Sequence, residues 1–204
     1  ACVQNGRRVF RREHDGGGSD VKGKLFIVSG PSGVGKNTIL NRIVQEQEHV
    51  QYSISATSRA IRPGEKDGVN YYFVTRSRFE QMIAEGELLE YAEYVGNYYG
   101  TPLAPILEAT ERGIDVVMDL DVVGALKVKA RVPSAVLIFI TAPSFEEIER
   151  RLNGRGDVAP QAMAERLERA HWEYTQAPKY EYIVMNDNVE SAVYKMLAIM
   201  TAEK

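Results

Sequence analysis

A glycine-rich segment that ends in a lysine constrains the fold of this chain more than any other feature. It follows a short apolar run at 25–28 and precedes a stretch with apolar residues at helical spacing, including Ile39, Leu40 and Ile43. A strand, a glycine-rich turn and a helix in this order form a P-loop, whose backbone N–H groups and helix N-terminus bind phosphate. The pattern predicts a nucleoside triphosphate site on residues Gly30, Pro31, Ser32, Gly33, Val34, Gly35, Lys36, Asn37 and Thr38.

The side chains after the last glycine are suited to the phosphates of a nucleoside triphosphate and to Mg²⁺ as its companion. Lys36 can place a mobile positive charge on the β- and γ-phosphates. A P-loop usually continues with Ser or Thr, which offers a hydroxyl to the metal, whereas this chain has Asn37. An amide oxygen can also coordinate a hard cation, directly or through water. Asn37 is therefore a candidate ligand of Mg²⁺.

Strand and helix signals alternate along most of the chain. Buried strands are predicted at 25–28, 114–121, 135–141 and 182–185, and helices at about 36–48, 123–131, 145–154, 161–176 and 190–202. Strands separated by helices indicate right-handed crossovers and a mostly parallel sheet covered on both faces. The predicted fold class is α/β, a P-loop kinase core with a mostly parallel sheet.

Residues 52–103 interrupt this alternation. Short antiparallel strands are predicted at 52–57, 71–74 and 88–95, with one helix at 77–86. The segment is interpreted as a small α+β insertion that holds a nucleoside monophosphate. The remaining divisions are a flexible tail at 1–22, a core formed by 23–51 and 104–204, and an arginine-rich lid at about 151–169.

Three helix starts carry capping signals. A Ser followed three residues later by Glu satisfies backbone N–H groups at a helix N-terminus. The pairs that match or resemble this pattern are Ser77 with Glu80, Ser144 with Glu147, and Asp187 with Glu190.

Charge and apolar runs argue against several classes of protein. The formal net charge of −3 gives no global basic surface for nucleic acid. The longest apolar run, 135–140, is too short to span a bilayer. There is no apolar segment near the start that suggests secretion, and the one cysteine, Cys2, cannot form an internal disulfide. These features predict a cytoplasmic protein with neither nucleic acid nor a membrane as partner, and they carry no signal for an oligomeric state.

Two arginines in the insertion are candidates for holding a second phosphate. Arg59 and Arg62 lie three residues apart, just after a predicted strand. The planar guanidinium binds phosphate oxygens in pairs, and Tyr71 and Tyr99 can each add a phenolic donor. Taken alone, two solvated arginines beside a turn are the more ordinary interpretation. Beside a P-loop, a clamp for a nucleoside monophosphate is favoured.

Two acidic residues are candidates for reading a purine. Guanine presents N1–H and the 2-amino group as adjacent donors, which match the two oxygens of a carboxylate such as Glu90 or Asp121. Adenine has no such donor pair, so a buried carboxylate there disfavours AMP. Thr101 can donate to the guanine O6.

The run from Gly30 to about Val189 resembles the guanylate kinases. The matching stretches lie at 30–36, 57–65, 67–73, 90–101, 119–121, 154–156 and 184–187. The resemblance implies that ATP phosphorylates GMP, and dGMP as well, with Mg²⁺. It further implies that Arg59, Arg62, Tyr71 and Tyr99 hold the GMP phosphate, that Ser55, Glu90, Thr101 and Asp121 read the guanine, that Asn186 lies by the ATP base, and that Asp119 lies near the metal.

The arginines of the lid complete the predicted catalytic set. Arg151 and Arg155 are four residues apart and share a face if both are helical, and Arg166 follows on the next predicted helix. The resemblance implies that they act as arginine fingers on the ATP phosphates. The alternative is a solvated basic face balanced by neighbouring glutamates. The catalytic candidates are Lys36, Arg59, Arg151, Arg155 and Arg166.

Two other functions remain open at this point. Guanylate-kinase-like domains of scaffold proteins bind phosphopeptides, but they typically lose the P-loop lysine and glycines, which are present here. A kinase for AMP, UMP or a small metabolite is the second alternative. Glu90 and Thr101 argue against it.

Overall fold

A five-stranded parallel sheet forms the centre of the computed structural model, which describes residues 3–4, 7–8, 22–153 and 160–204. Two short N-terminal strands, β1 (Val3–Gln4) and β2 (Arg7–Arg8), pair with each other. The central strands are β3 (Leu25–Ser29), β4 (Val50–Tyr52), β9 (Asp115–Asp119), β10 (Val136–Thr141) and β11 (Tyr182–Met185). Their order is β11-β10-β3-β9-β4, with every neighbouring pair parallel. The parallel α/β core is therefore confirmed.

Helices cover both faces of this sheet. They are α1 (Lys36–Glu46), α3 (Leu103–Glu111), α4 (Val122–Arg131), α5 (Phe145–Asn153), α6 (Pro160–Gln176) and α7 (Val189–Ala202), whereas α2 (Arg76–Glu85) packs on the insertion. Alternate side chains of β3 enter different cores. Phe26 and Val28 pack with α1 and α7, whereas Leu25 and Ile27 pack with α3 and α4. The P-loop after β3 is thus held from both sides.

A four-stranded sheet forms the insertion. Its strands are β5 (Ala56–Thr57), β6 (Tyr72–Phe73), β7 (Leu88–Tyr94) and β8 (Asn97–Pro102), in the order β6-β5-β8-β7. Helix α2 covers one face, where Phe79 stacks on Tyr98 with ring centroids 5.2 Å apart. Ala56, Met82 and Leu88 complete this small core. The insertion therefore has a hydrophobic core of its own.

The predicted strand at 52–57 is wrong as a single element. Its alternating pattern runs across two sheets, because the chain leaves β4 at Tyr52 and enters β5 at Ala56. The prediction of only antiparallel strands is also wrong, since β5 and β6 are parallel. Strand β8 and helix α3 were not predicted. Pro105 argues against a helix at the start of α3. A proline is nevertheless tolerated in the first helical turn, because the N–H groups there form no hydrogen bond within the helix.

The capping signals predicted the N-cap residue correctly for one helix and wrongly for two. Ser144 Oγ accepts from the Glu147 N–H at 3.3 Å, as predicted. Helix α2 is capped by Thr75 instead of Ser77, and α7 by Asn188 instead of Asp187. Thr, Asn, Ser and Asp all cap well, so neighbouring candidates could not be ranked from the sequence. Among the described helices, none combines the length and apolarity needed to cross a membrane.

Candidate active site

The P-loop has the backbone that phosphate binding requires. Gly30 and Gly35 have φ values of 147° and 89°, which L side chains rarely adopt. A Cβ on Gly30 would overlap the Ile140 carbonyl, and one on Gly35 would lie 2.6 Å from Asn186 Nδ2. Gly35 is also the N-cap of α1 and offers no side-chain acceptor. The first N–H groups of α1 thus remain available to an anion.

Lys36 lies folded over its own loop. Its Nζ donates to the Gly30 carbonyl at 2.6 Å and lies 3.9 Å from Asp119 Oδ1. Burial raises the pKa of Asp119 to about 6, and the Lys36 charge offsets part of that rise, while Glu173 and Asp121 add to it. The lysine therefore stands between the P-loop and a desolvated carboxylate at the end of β9.

The donor set near Lys36 fits Mg²⁺ bound together with a nucleotide. Among the residues that the structure describes, no group of three or more His, Cys, Asp or Glu side chains could hold a metal. Mg²⁺ in nucleotide sites commonly uses one or two carboxylates, the substrate phosphates and several waters. Asp119 offers such a carboxylate, and a cation would stabilise its charged form against burial. Asn37 lies exposed on the first turn of α1.

Asn186 and Arg151 meet behind the P-loop. The buried Asn186 donates from Nδ2 to the Val34 carbonyl at 2.7 Å. Arg151 donates from Nη2 to the Asn186 carbonyl at 3.3 Å and from Nε to Glu147 at 2.6 Å. Hydrogen bonds from Arg150 and Arg151 lower the pKa of Glu147 to about 2. Arg151 thus lies beside the P-loop with a carboxylate as its present partner.

Of the other two predicted lid arginines, only Arg166 lies within the described residues. Arg166 lies on α6 and is exposed. Arg155 lies outside the described residues, so its predicted alignment with Arg151 stays a prediction.

The insertion brings three of its four predicted phosphate ligands together. Arg59 pairs with both oxygens of Glu65, at 3.0 and 2.8 Å, which lowers the pKa of Glu65. Its guanidinium carbon lies 5.6 Å from the Tyr71 ring centroid, and the Tyr71 and Tyr99 rings are 6.0 Å apart. Arg62 is exposed, and its backbone N–H donates to Glu65 at 2.8 Å. One glutamate therefore organises both arginine positions.

A polar groove of about 760 Å³ separates α1 from the insertion. Asn37 and Tyr52 line it on the core side, and Glu65 and Tyr71 on the insertion side. Burial raises the pKa of Tyr71, and the negative charge of Asp119 adds to this rise. Burial followed by the Asp119 charge likewise raises the pKa of Tyr52. Tyr71 thus lies in the groove close enough to the P-loop region for its pKa to respond to Asp119.

Three of the four predicted guanine readers converge on one helix start. Thr101 Oγ1 donates to Glu90 Oε1 at 2.8 Å, and Asp121 Oδ1 caps α4 by accepting from the Gly124 N–H at 2.7 Å. A Cβ at Gly124 would lie 3.3 Å from Asp121 Oδ1 and 3.4 Å from Glu90 Oε2. Burial raises the pKa of Glu90, the Thr101 hydrogen bond lowers it, and the Asp121 charge raises it. Ser55 is half-buried in the connection between β4 and β5.

Sequence reasoning missed several residues of this region. Glu65 was only part of a matched stretch, yet it holds Arg59. Glu173 is buried on α6 and near Lys36, but one glutamate in a highly charged helix gives no distinguishing signal. Arg169 donates to Glu173 and to Asp121. The spacing of Arg169 and Glu173 could have indicated their pairing, whereas the contact with Asp121 needed the fold.

Comparisons with known proteins agree with this arrangement. The model of the guanylate kinase family matches residues 22–203. The guanylate kinase of Streptococcus agalactiae serotype III is 50% identical over 183 residues, 89% of this chain and 88% of that protein. A guanylate kinase of Thermus thermophilus is 50% identical over 184 residues, 90% of this chain and 83% of that protein.

A solved structure shows the same relationship in three dimensions. The crystal structure of guanylate kinase from Anaplasma phagocytophilum superposes with a TM-score of 0.72 at 33% identity, covering 90% of this chain and 87% of that one. The family match extends over nearly all of the chain and includes both the P-loop core and the insertion. This chain belongs to the guanylate kinase family.

Proposed function

We propose that this protein transfers the γ-phosphoryl group of ATP to GMP, giving ADP and GDP, and that dGMP is a second acceptor. One observation carries the proposal. The P-loop lysine lies 3.9 Å from Asp119 Oδ1 at the end of β9, and Asp121, one of the carboxylates suited to guanine, follows two residues later as the N-cap of α4. A donor site and an acceptor-base site therefore adjoin. The cytoplasmic location indicated by the sequence stays a prediction.

ATP would lie on the P-loop. Its phosphates would accept hydrogen bonds from backbone N–H groups and replace the Gly30 carbonyl as the partner of Lys36. Asn37 and Thr38 would face the phosphates from the first turn of α1. Asn186, which donates from Nδ2 to the Val34 carbonyl, would lie by the ATP base. Mg²⁺, held by Asp119 with Asn37 nearby, would offset phosphate charge.

GMP would lie between the insertion and the core. Its phosphate would meet Arg59, Arg62, Tyr71 and Tyr99, which supply positive charge and donors. Glu90 Oε2 and the Asp121 carboxylate flank the same point above Gly124, and there they match the N1–H and 2-amino donors of guanine. The remaining predicted guanine contacts are Thr101 and Ser55.

The reaction needs positioning and charge stabilisation more than a side-chain nucleophile. The acceptor is an ionised phosphate oxygen, so no general base is required. The charge on the transferred phosphoryl group would be stabilised by Lys36 and by the lid arginines Arg151, Arg155 and Arg166. We expect Arg155→Ala to lower kcat by at least about a hundredfold, as loss of an arginine finger does, with little change in the KM for GMP. A near-normal kcat would remove Arg155 from the mechanism.

A panel of acceptors tests the function as a whole. ADP formation would be measured by a coupled assay with ATP and GMP, dGMP, AMP or UMP, at fixed Mg²⁺. We expect kcat/KM to be highest for GMP and dGMP. Comparable values for AMP or UMP would assign another nucleotide kinase. No GMP-dependent ATP consumption would favour a non-catalytic binding module.

A further inference from the structure

Arg169 joins the lid-side helix α6 to the guanine side of the site. Its Nη2 donates to Asp121 Oδ2 at 3.1 Å, and its Nε donates to Glu173 Oε1 at 3.2 Å. Asp121 is 48 residues away along the chain, so the fold itself creates this contact. A single guanidinium therefore bridges a buried glutamate and the carboxylate at the start of α4.

Four carboxylates share this region. Asp121 repels Glu90 on one side and Asp119 and Glu173 on the other. Lys36 acts on Asp119 and Glu173, and Lys127 acts on Glu90. In the described part of the chain, Arg169 is the cation that hydrogen-bonds Asp121. Without it, the Gly124 N–H would remain as the hydrogen-bond donor to Asp121 against the repulsion from Glu90.

The two hydrogen bonds of Asp121 fix its carboxylate at both oxygens. Oδ1 accepts from the Gly124 N–H, and Oδ2 accepts from Arg169. A carboxylate offers about four lone-pair sites, so both oxygens keep capacity for a ligand. The side chain of Asp121 is 47% exposed, and with Arg169 removed, Oδ2 is free to turn toward solvent. The bridge thus holds an acceptor where a purine edge would arrive.

We infer that Arg169 is a positioning residue for guanine selection: it holds Asp121 ready to accept from the 2-amino group. The inference rests on the proposed function, because it takes Glu90 and Asp121 as the guanine readers. It adds a residue on α6 to the determinants of base specificity. An acceptor purine that lacks the 2-amino group should not depend on Arg169.

The competing interpretation is an ordinary surface ion pair. Arg169 is 52% exposed, and exposed pairs contribute little to stability. Arg169 also pairs with the buried Glu173, so both interpretations predict the same fall in melting temperature for Arg169→Gln. They differ in acceptor selectivity, which a surface pair has no means to change.

The experiment compares GMP with IMP, which has the same keto and N1–H groups but no 2-amino group. Wild type, Arg169→Gln, Asp121→Asn and the double variant are assayed for kcat and KM with saturating ATP. Asparagine caps helices as well as aspartate does, so Asp121→Asn keeps α4 intact. Arg42→Gln is the control for loss of a half-exposed helical arginine, since Arg42 is 50% exposed and pairs with Glu46 at the same spacing on α1, although Glu46 is 41% exposed and Glu173 only 7%.

We expect Arg169→Gln to raise the KM for GMP by about tenfold, the loss associated with one charge-assisted hydrogen bond. The KM for IMP should change by less than about twofold, which is within the effect of an exposed charge, and kcat should be nearly constant. The double variant should match Asp121→Asn alone, because residues that act through one another are non-additive. Arg42→Gln should match wild type.

Three outcomes would overturn the inference. An equal change in KM for GMP and IMP would leave Arg169 without a role in selecting the base. A loss of kcat with constant KM would place it on the phosphates instead. Effects that multiply in the double variant would show that it acts independently of Asp121. If wild type does not phosphorylate GMP, the proposed function itself fails, and this result is separate from all three.

Discussion

Replacing Glu90 with glutamine changes one oxygen to an amide and tests the guanine pocket most directly. In the free protein, Thr101 donates to Glu90 Oε1 at 2.8 Å. The Thr101 hydroxyl can rotate to accept from a glutamine amide, so this contact survives the substitution. Burial disfavours the charged form of Glu90, hence a neutral side chain fits the unliganded pocket at least as well. We therefore expect the melting temperature of Glu90→Gln to equal or exceed that of wild type.

Glu90→Gln should weaken the binding of GMP, because the neutral side chain that suits the unliganded pocket lacks the second acceptor oxygen. Glutamine has one acceptor oxygen for two guanine donors, and its amide would oppose the second donor. Loss of one hydrogen bond to a charged group costs about 1.5–3 kcal/mol, and the donor left unpaired costs about 1–3 kcal/mol more. The sum corresponds to a fall in kcat/KM for GMP of about a hundredfold to ten-thousandfold.

The assay measures kcat/KM for GMP and AMP in wild type and variant, together with thermal unfolding. Thr101→Val serves as a second variant, because it removes the neighbouring hydroxyl and retains the carboxylate. A value for GMP within about fivefold of wild type would refute the reasoning, since it falls short of one charge-assisted hydrogen bond. A variant that is as stable as wild type and fails with GMP would support it.

The geometry supports three more predictions. Burial raises the pKa of Glu90 above the ordinary 4.5. As the solution is acidified, Glu90 should therefore become protonated at a higher pH than an ordinary glutamate, and the KM for GMP should begin to rise at that pH. Glu90→Gln should lack that component, while the phosphate titration of GMP affects both proteins alike. Gly35→Ala should raise the KM for ATP by at least about tenfold, because its Cβ would lie 2.6 Å from Asn186 Nδ2 at a φ of 89°; Gly96→Ala, at a φ of 71° with no atom within 4 Å, should leave that KM unchanged. Val95→Asn should raise the free energy of unfolding by about 1 kcal/mol in a denaturant titration, because Val95 has a φ of 47° in a two-residue turn that favours Asn-Gly; no gain would show that the turn is unstrained.

The core and its P-loop could be predicted because their signals are local. The apolar run of β3, the glycines and the periodicity of α1 are contiguous, so each constrains the next. The strand pairing of the insertion was harder to predict, since β6 pairs with β5 in parallel only after a long connection. Periodicity cannot reveal which strand a two-residue segment will pair with.

Site residues could be predicted from the sequence where they belong to a motif. The contacts between these residues could not be predicted. The pairing of Arg59 with Glu65 lies within one matched stretch, yet neither spacing nor composition shows that the guanidinium faces this glutamate. The bond from Arg169 to Asp121 joins segments far apart in sequence. Such contacts arise from helix packing on the sheet, which a linear pattern does not encode.

Three of the side chains proposed to bind phosphate already have internal partners. The pairs are Lys36 with the Gly30 carbonyl, Arg59 with Glu65, and Arg151 with Glu147. Phosphate therefore replaces an existing acceptor, and the gain on binding is the difference between two hydrogen bonds. Lys36 exchanges a neutral carbonyl for an anion and gains most when ATP binds. For Arg151, exchange of the Glu147 carboxylate for a phosphate would yield less in the ground state. This difference favours a role for Arg151 later, when charge develops on the transferred phosphoryl group.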